Sequence, residues 1–503
     1  MAALEATAEF RTAHPTASTP DQLASDAPQL QGISQRFPGL LVYTISAEGY
    51  EEVRPFFNAS MTQRPLAIIR PRTEAEVSAV VREVCAQSIP FGIRSGGHDF
   101  HAAQAQGRDG VIVDLRGMDS IAIAEDKKSA RIGGGTLSIR LSKFLQQHKL
   151  LTPHGWYPTV SVAGWALGGG YGYSSAFYGL GADQILGARV VLADGKTVDT
   201  DDHPDLLWAL RGAGNGNFGI VVELRVKLYP QTGFLAGLLA FPAAEAGDVL
   251  TGFGKFQREL PINFTGEATH ATLPGVGPVL AWLFAWTSED DDLDDGWAFL
   301  EKMKALGTPV LDTVSAVDDH TFLNTLPSSV DTHWYIRLRT FEYFTPEVAS
   351  VFGSRPPPGA ACATVIHNTH GRALAKNPGA CYPLRTRHGL ASISAGIVDA
   401  AAQATKYEEY KKWADDLADD LSKQQHALPY GYGNLSPAKD MDWVATYGEE
   451  TMARLKEVKK KFDPTNVFKT GYPRLDLLWK GNPDRGGRPY DRLWRGGLKP
   501  ERL

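Results

Sequence analysis

The feature that most constrains this chain is Gly164-Trp-Ala-Leu-Gly168-Gly169-Gly170-Tyr171-Gly172, with five glycines in nine residues. Glycine loses the most backbone freedom on folding. A turn alone accounts poorly for such a run, whereas backbone without side chains can lie against a flat or charged ligand. The rest of the chain can house such a ligand. Its 503 residues exceed one typical domain, so two lobes are expected. The 43% apolar and 21% charged residues suit a large core and exclude disorder, collagen and coiled coil. The balance 51 − 57 = −6 argues against a generally basic nucleic-acid binder, so no nucleic-acid partner is expected. Three cysteines make no disulfide scaffold and no zinc spacing. No apolar run reaches the ~20 residues of a membrane span, so no membrane partner is expected. The first residues lack a basic and an apolar signal region, which makes a cytoplasmic location the expectation.

Residues 1–40 read as a loosely ordered lead-in. From there the pattern is dense. Pro65–Arg70, Pro90–Arg94 and Gly110–Asp114 read as strands. Thr73 with Glu76 forms a capping box ahead of Val77, Val80, Val81 and Val84 at helical spacing. Ala130–Gly133 reads as a strand leading to a helix with Leu137, Leu141, Phe144 and Leu145. Ala188–Ala193 with Asp194-Gly195 begins a hairpin, and Ile220–Leu228 is strongly β. Two later helices carry Trp413, Leu417 and Leu421, and Met452, Leu455, Val458 and Phe462. The second sets Lys456, Lys459, Lys460 and Lys461 on its opposite, solvated side. The Gly/Arg-rich residues 481–503 read as a surface strap.

Some familiar signatures fail on context. Gly214-Asn-Gly216-Asn-Phe-Gly219 matches a dinucleotide fingerprint but opens a strand rather than a helix. No nucleophile elbow is present. Arg94-Ser95-Gly96-Gly97-His98 follows a strand. Its consecutive N–H groups could form a nest for a pyrophosphate, with charge added by Arg94, although taken alone it reads better as a β-turn with a chance histidine.

Taken in order, the motifs R-S-G-G-H, G-W-x-x-G-G-G-Y-G, G-x-x-x-D-Q-I-L, G-N-F-G-I-V, Y-x-N and F-D-P-x-N-x-F form a pattern. It resembles the berberine-bridge-enzyme-like oxidoreductases of the vanillyl-alcohol-oxidase (PCMH-type) flavoprotein superfamily, over about residues 60–235 and 428–473. The resemblance implies an α+β, two-lobed PCMH-type FAD-binding fold with an antiparallel-sheet substrate domain. Residues 41–235 and 428–480 would form the FAD lobe and 236–427 the substrate domain. It implies FAD on Arg94, Ser95, Gly96 and Gly97, linked covalently through His98. Tyr157, Val160, Gly164, Gly168, Gly169, Gly170, Tyr171, Gly172, Asp183 and Gln184 would follow the flavin and its ribityl chain. Gly219, Ile220 and Val222 would lie towards the adenine, with Tyr432 and Asn434 completing the lobe. Val160 matches the position where a valine leaves room for dioxygen.

Four departures matter. Tyr157 stands where many relatives have a flavin-linked cysteine, so no cysteinyl link is implied. Trp165 replaces a common histidine. Leu435 replaces the tyrosine base of Y-x-N-Y, and the surroundings of Arg385 and His388 match poorly. Tyr382, His388 and Tyr432 are the candidate acid–base residues. His367 and His370 are also available, but no further group completes a metal site, and no metal is expected. The resulting expectation is an FAD-dependent oxidase of a small organic molecule, with O2 as acceptor and a place in specialised metabolism. The alternative is a cyclase or cycloaddition catalyst that keeps FAD as a non-redox scaffold.

Overall fold

The computed structural model describes residues 13–101, 104–326, 331–437 and 441–475. The strap reading of 481–503 and the first residues of the lead-in lie outside them. From residue 13 onward the lead-in is ordered, which corrects the expectation of looseness. Thr19 and Gln22 form a capping box on the helix Pro20–Asp26. Leu23, Ala27, Leu30 and Ile33 are buried in the core under the first sheet. The Ala/Ser/Gln-rich composition concealed this apolar spacing.

That first sheet runs Leu41–Thr44, Ala67–Arg70, Val111–Asp114, Phe91–Arg94; its first pair is antiparallel and the others are parallel. Thr73 and Glu76 cap the crossover helix Glu74–Ala86 as the sequence predicts, and its four valines are fully buried. Each such valine contributes ~1.5–3 kcal/mol through burial. A second, antiparallel sheet runs Ile121–Ile123, Ser129–Gly133, Ile220–Lys227, Ile185–Val191, Thr197–Asp199. Gly219 thus sits at the start of a central strand, as the rejection of a dinucleotide-binding helix requires.

The third sheet is antiparallel and has nine strands, from Phe234–Pro242 to Ala427–Leu428. Its strands alternate. Leu239, Phe264, Trp282, Phe284, Ile366 and Ile393 bury one face against Ala246–Gly254, Asp294–Lys304, Pro346–Ser354 and Ala404–Ser422. Successive residues point to opposite faces, so Glu267, Val365, His367, Ser392 and Ser394 are carried to the other face, over the first two sheets.

The chain then returns to the FAD-side lobe through the helix Glu449–Phe462. Here one expectation is corrected. Lys459 is fully buried rather than solvated, and its Nζ donates to Asn217 O, Asp463 Oδ2 and Phe468 O. A helical wheel cannot foresee this, because the partners come from the second sheet's entry loop and from the segment beyond the helix. The pair ties the returning segment to the strand that begins beside Gly219.

Candidate active site

Between the third sheet and the first two lies a cavity whose lining atoms bound about 1620 Å3 of atom-free space, part of it open to solvent. Its lining on one side is backbone-rich: Ser95–His98, Gly155–Tyr157, Val160, Ser161, Gly164, Gly214–Gly216, Gly219 and Val221. The opposite side, the roof, is Glu267, Val365, His367, Ser392 and Ser394, and the returning segment closes it with Tyr432–Leu435 and Tyr472.

The Ser95–His98 turn is built for close approach. Gly97 has φ +74, and a Cβ on Gly96 would stand 2.6 Å from Ser161 N and 2.9 Å from Thr159 O. The turn therefore packs directly on the Thr159–Ser161 segment. His98 Nε2 lies 2.7 Å from Thr159 Oγ1, and the ring stacks on Phe57 at 4.2 Å. Arg94 does not add its charge to this nest, which corrects that assignment. Its guanidinium donates to Asp114 and to the carbonyls of Val53 and Arg54, within a cluster that also joins Arg70 and Arg116 to Asp114. Burial lowers the Arg94 pKa to about 9.

The glycine run divides. Gly164 faces the cavity, and a Cβ there would meet no protein atom within 4 Å. Gly168, Gly169, Gly170 and Gly172 face protein instead. Added Cβ atoms would collide with Asn434, the Tyr382 ring, Gly181 and Trp165, and His154 O respectively. Gly169 and Gly170 have φ +119 and +80. These glycines let the chain turn beneath Tyr171, which does line the cavity; they are not themselves a ligand cradle.

Asp183 and Gln184 lie away from the cavity, a second correction. Asp183 receives both terminal nitrogens of Arg385 and the Asn377 amide. Gln184 donates to Tyr178 O and Leu180 O. Ile220 and Val222 point into the core under the first sheet, while Gly219 and Val221 line the cavity. Gly219 lines the cavity, and the expected strand residues Ile220 and Val222 are out of phase with it by one residue.

Of Tyr382, His388 and Tyr432, Tyr432 alone lines the cavity. Its Oη accepts from Gly170 N at 3.2 Å and Asn434 Nδ2 at 2.8 Å, and burial pushes the phenol up to about 12. Asn434 Oδ1 in turn accepts from Asn215. Tyr382 and His388 lie behind Tyr171, which corrects their direct role. His388 Nδ1 is 2.7 Å from Thr386 O. A carbonyl can only accept, so that nitrogen carries the proton. His388 Nε2 then accepts from the Tyr171 hydroxyl at 2.9 Å, while the Tyr382 hydroxyl donates to Tyr171 at 2.9 Å. Burial lowers the His388 pKa to about 4, which keeps the ring neutral. These two residues orient the Tyr171 phenol.

Sequence reasoning missed Glu267, Ser392 and Ser394, whereas His367, one of its available acid–base side chains, does line the cavity. Glu267 and His367 are cross-strand partners, and Val365 pairs with Ser392. The available signal was Ser392-Ile-Ser394, polar at alternate positions. Among the described residues no group of three or more His, Cys, Asp or Glu is placed to hold a metal ion, and no helix is long and apolar enough to cross a membrane.

A two-lobed fold with a glycine-lined cavity beneath an antiparallel sheet defines a flavin-dependent oxidoreductase, and the residues fit a flavin dinucleotide. Arg94 is the only Arg or Lys among the described lining residues, and it is spent on Asp114, so phosphates would rest on backbone N–H groups. A profile described as "FAD binding domain" matches residues 65–201, and one described as "Berberine and berberine like" matches 421–471. The chain is 31% identical to FAD-linked oxidoreductase aurO of Gibberella zeae, over 89% of this chain and 88% of the relative. It is 29% identical to (R)-6-hydroxynicotine oxidase of Paenarthrobacter nicotinovorans, over 84% of this chain and 94% of the relative. The crystal structure of 6-hydroxy-D-nicotine oxidase from Arthrobacter nicotinovorans superposes with a TM-score of 0.76 at 26% identity, covering 86% of this chain and 97% of the other. The berberine bridge enzyme of Eschscholzia californica shares the fold, with a TM-score of 0.76 at 19% identity over 88% and 97% of the two chains. The chain belongs to the berberine-bridge-type FAD-linked oxidoreductases.

Proposed function

We propose that this protein is an FAD-dependent oxidase of a small organic molecule, an alcohol, an amine or an activated C–H compound. FAD would be covalently attached through His98, and dioxygen would be the electron acceptor. The observation that carries this reading is the single cavity joining the Ser95–His98 turn to a side-chain-bearing roof. Two relatives named as oxidases support it, the 6-hydroxynicotine enzyme and the xylooligosaccharide oxidase of Thermothelomyces thermophilus. FAD, when bound, supplies hydride acceptance and onward electron transfer to oxygen.

The chain's own residues do the rest. Thr159 and Phe57 fix the orientation of the His98 ring. Ser95, Gly96 and Gly97 offer backbone to the phosphates, and Gly164 leaves room for a flat group. Tyr157 stands where a cysteine would be needed for a second link. Trp156, Tyr157 and Tyr171 enclose the substrate space and limit water, and the roof side chains set its orientation and receive its proton.

The test is a purified, yellow protein whose flavin survives acid precipitation in the wild type but not in His98→Ala. On anaerobic mixing, a substrate should bleach the visible flavin band, and air should restore it with formation of hydrogen peroxide. Flavin released wholly by acid defeats the covalent assignment. Turnover with the flavin staying oxidised defeats the oxidase reading in favour of a non-redox cyclase.

A further inference from the structure

We propose that Glu267, on the roof beside His367, seats a basic nitrogen of the substrate, which narrows the oxidase reading above, on which it rests, to amines. Glu267 is 3% exposed and lines the cavity. Its Oε2 is buried without a hydrogen bond. His367 Nδ1 stands 3.2 Å from that oxygen, within ion-pair range but off a hydrogen-bond line. A buried carboxyl oxygen left this way is costly, and folded proteins rarely tolerate one. A donor from a bound molecule would resolve it.

The surroundings choose the donor. Trp156, Tyr157 and Tyr171 bring aromatic faces to the same cavity, and Tyr171 stacks on His367 at 5.7 Å. Aromatic faces attract cations. Asp99, the other acidic lining residue, is occupied by the His101 and Gln104 amides. The one lining Arg or Lys among the described residues, Arg94, is turned to Asp114, so no guanidinium or ammonium of the lining competes with a substrate cation for Glu267. A carboxylic acid substrate would be repelled by Glu267. A neutral alcohol would bond it without the charge assistance that an ammonium brings. The two strands hold the pair in place, because Glu267 and His367 are register partners.

The experiment is calorimetric titration of the FAD-loaded enzyme with two probes of equal size, benzylamine and benzyl alcohol, at neutral pH. Wild-type protein should bind benzylamine at least ~10-fold more tightly, equivalent to about 1.4 kcal/mol. Glu267→Gln should erase that preference while benzyl alcohol stays within about twofold, and His367→Asn, which keeps the carboxyl, should retain it. Equal affinities in the wild type, no benzylamine binding, or an undiminished preference in Glu267→Gln overturns the proposal. If that variant is insoluble, the wild-type comparison decides alone. Protein purified without any FAD defeats the oxidase reading instead, and the heat of amine binding still reports on Glu267.

Discussion

Gly169 offers a sharp test of why the glycine run exists. Its φ is +119, and an added Cβ would lie 2.4 Å from Tyr382 Cε2 and 2.7 Å from Cζ. Two penalties follow for Gly169→Ala. The strained backbone costs about 1–3 kcal/mol, whatever its neighbour. The collision with the ring costs about 1–3 kcal/mol more, because Tyr382 is 4% exposed and its hydroxyl donates to Tyr171. Only the second penalty depends on Tyr382. In a Tyr382→Ala background the alanine at 169 should therefore cost about 1–3 kcal/mol less than in the wild type, a coupling well above the ~0.3–0.5 kcal/mol scatter of independent sites. The assay is a double-mutant cycle in urea, followed by tryptophan fluorescence and circular dichroism, with flavin content measured for each protein. If Gly169→Ala costs the same in both backgrounds and strips the flavin in both, the glycine serves the cofactor directly and the packing argument is wrong.

Three further outcomes are expected. Asp114→Asn leaves Arg70, Arg94 and Arg116 buried around a neutral amide, so stability should fall by about 3–5 kcal/mol, read as a lower urea midpoint. Burial pushes the Asp114 pKa up, but the three guanidiniums, Arg116 foremost, outweigh it and hold the carboxyl well below its usual range; that stability is therefore present at neutral pH and lost only as strong acid protonates the group. Burial lowers the His154 imidazole pKa, but the Asp319 carboxylate outweighs it and raises the pKa overall. Its contribution should be complete below pH ~6.5 and fade as pH rises through the folded-state value, and Asp319→Asn should flatten that slope in thermal melts. Tyr432→Phe removes the acceptor for Gly170 N and Asn434 Nδ2. Turnover should drop no more than ~10-fold, short of the ~10²–10⁴-fold contribution of a general base, and a loss above ~10³-fold with flavin fully loaded would reinstate the phenol as that base.

The sequence alone determined the cofactor lobe and its chemistry class. The capping box at Thr73 and Glu76, the Ile220–Lys227 strand and the ordered glycine motifs are local signals, readable because caps, alternation and glycine conformations involve residues close along the chain. The structure supplied what locality cannot. Alternation has a period but no phase, so the sequence turns Ile220 and Val222 towards the adenine, whereas the first sheet's core takes both and leaves Val221, two residues beyond Gly219, on the cavity. Asp183 matches a cofactor motif, yet its partner Arg385 lies 202 residues away and takes its carboxylate. Lys459 belongs to a polar helix face until Asn217 and Asp463 close over it. Glu267 and His367 carry no motif. Two strands far apart in the chain bring them side by side, because register in an antiparallel sheet is set by which faces can be buried together, and only the folded sheet settles that.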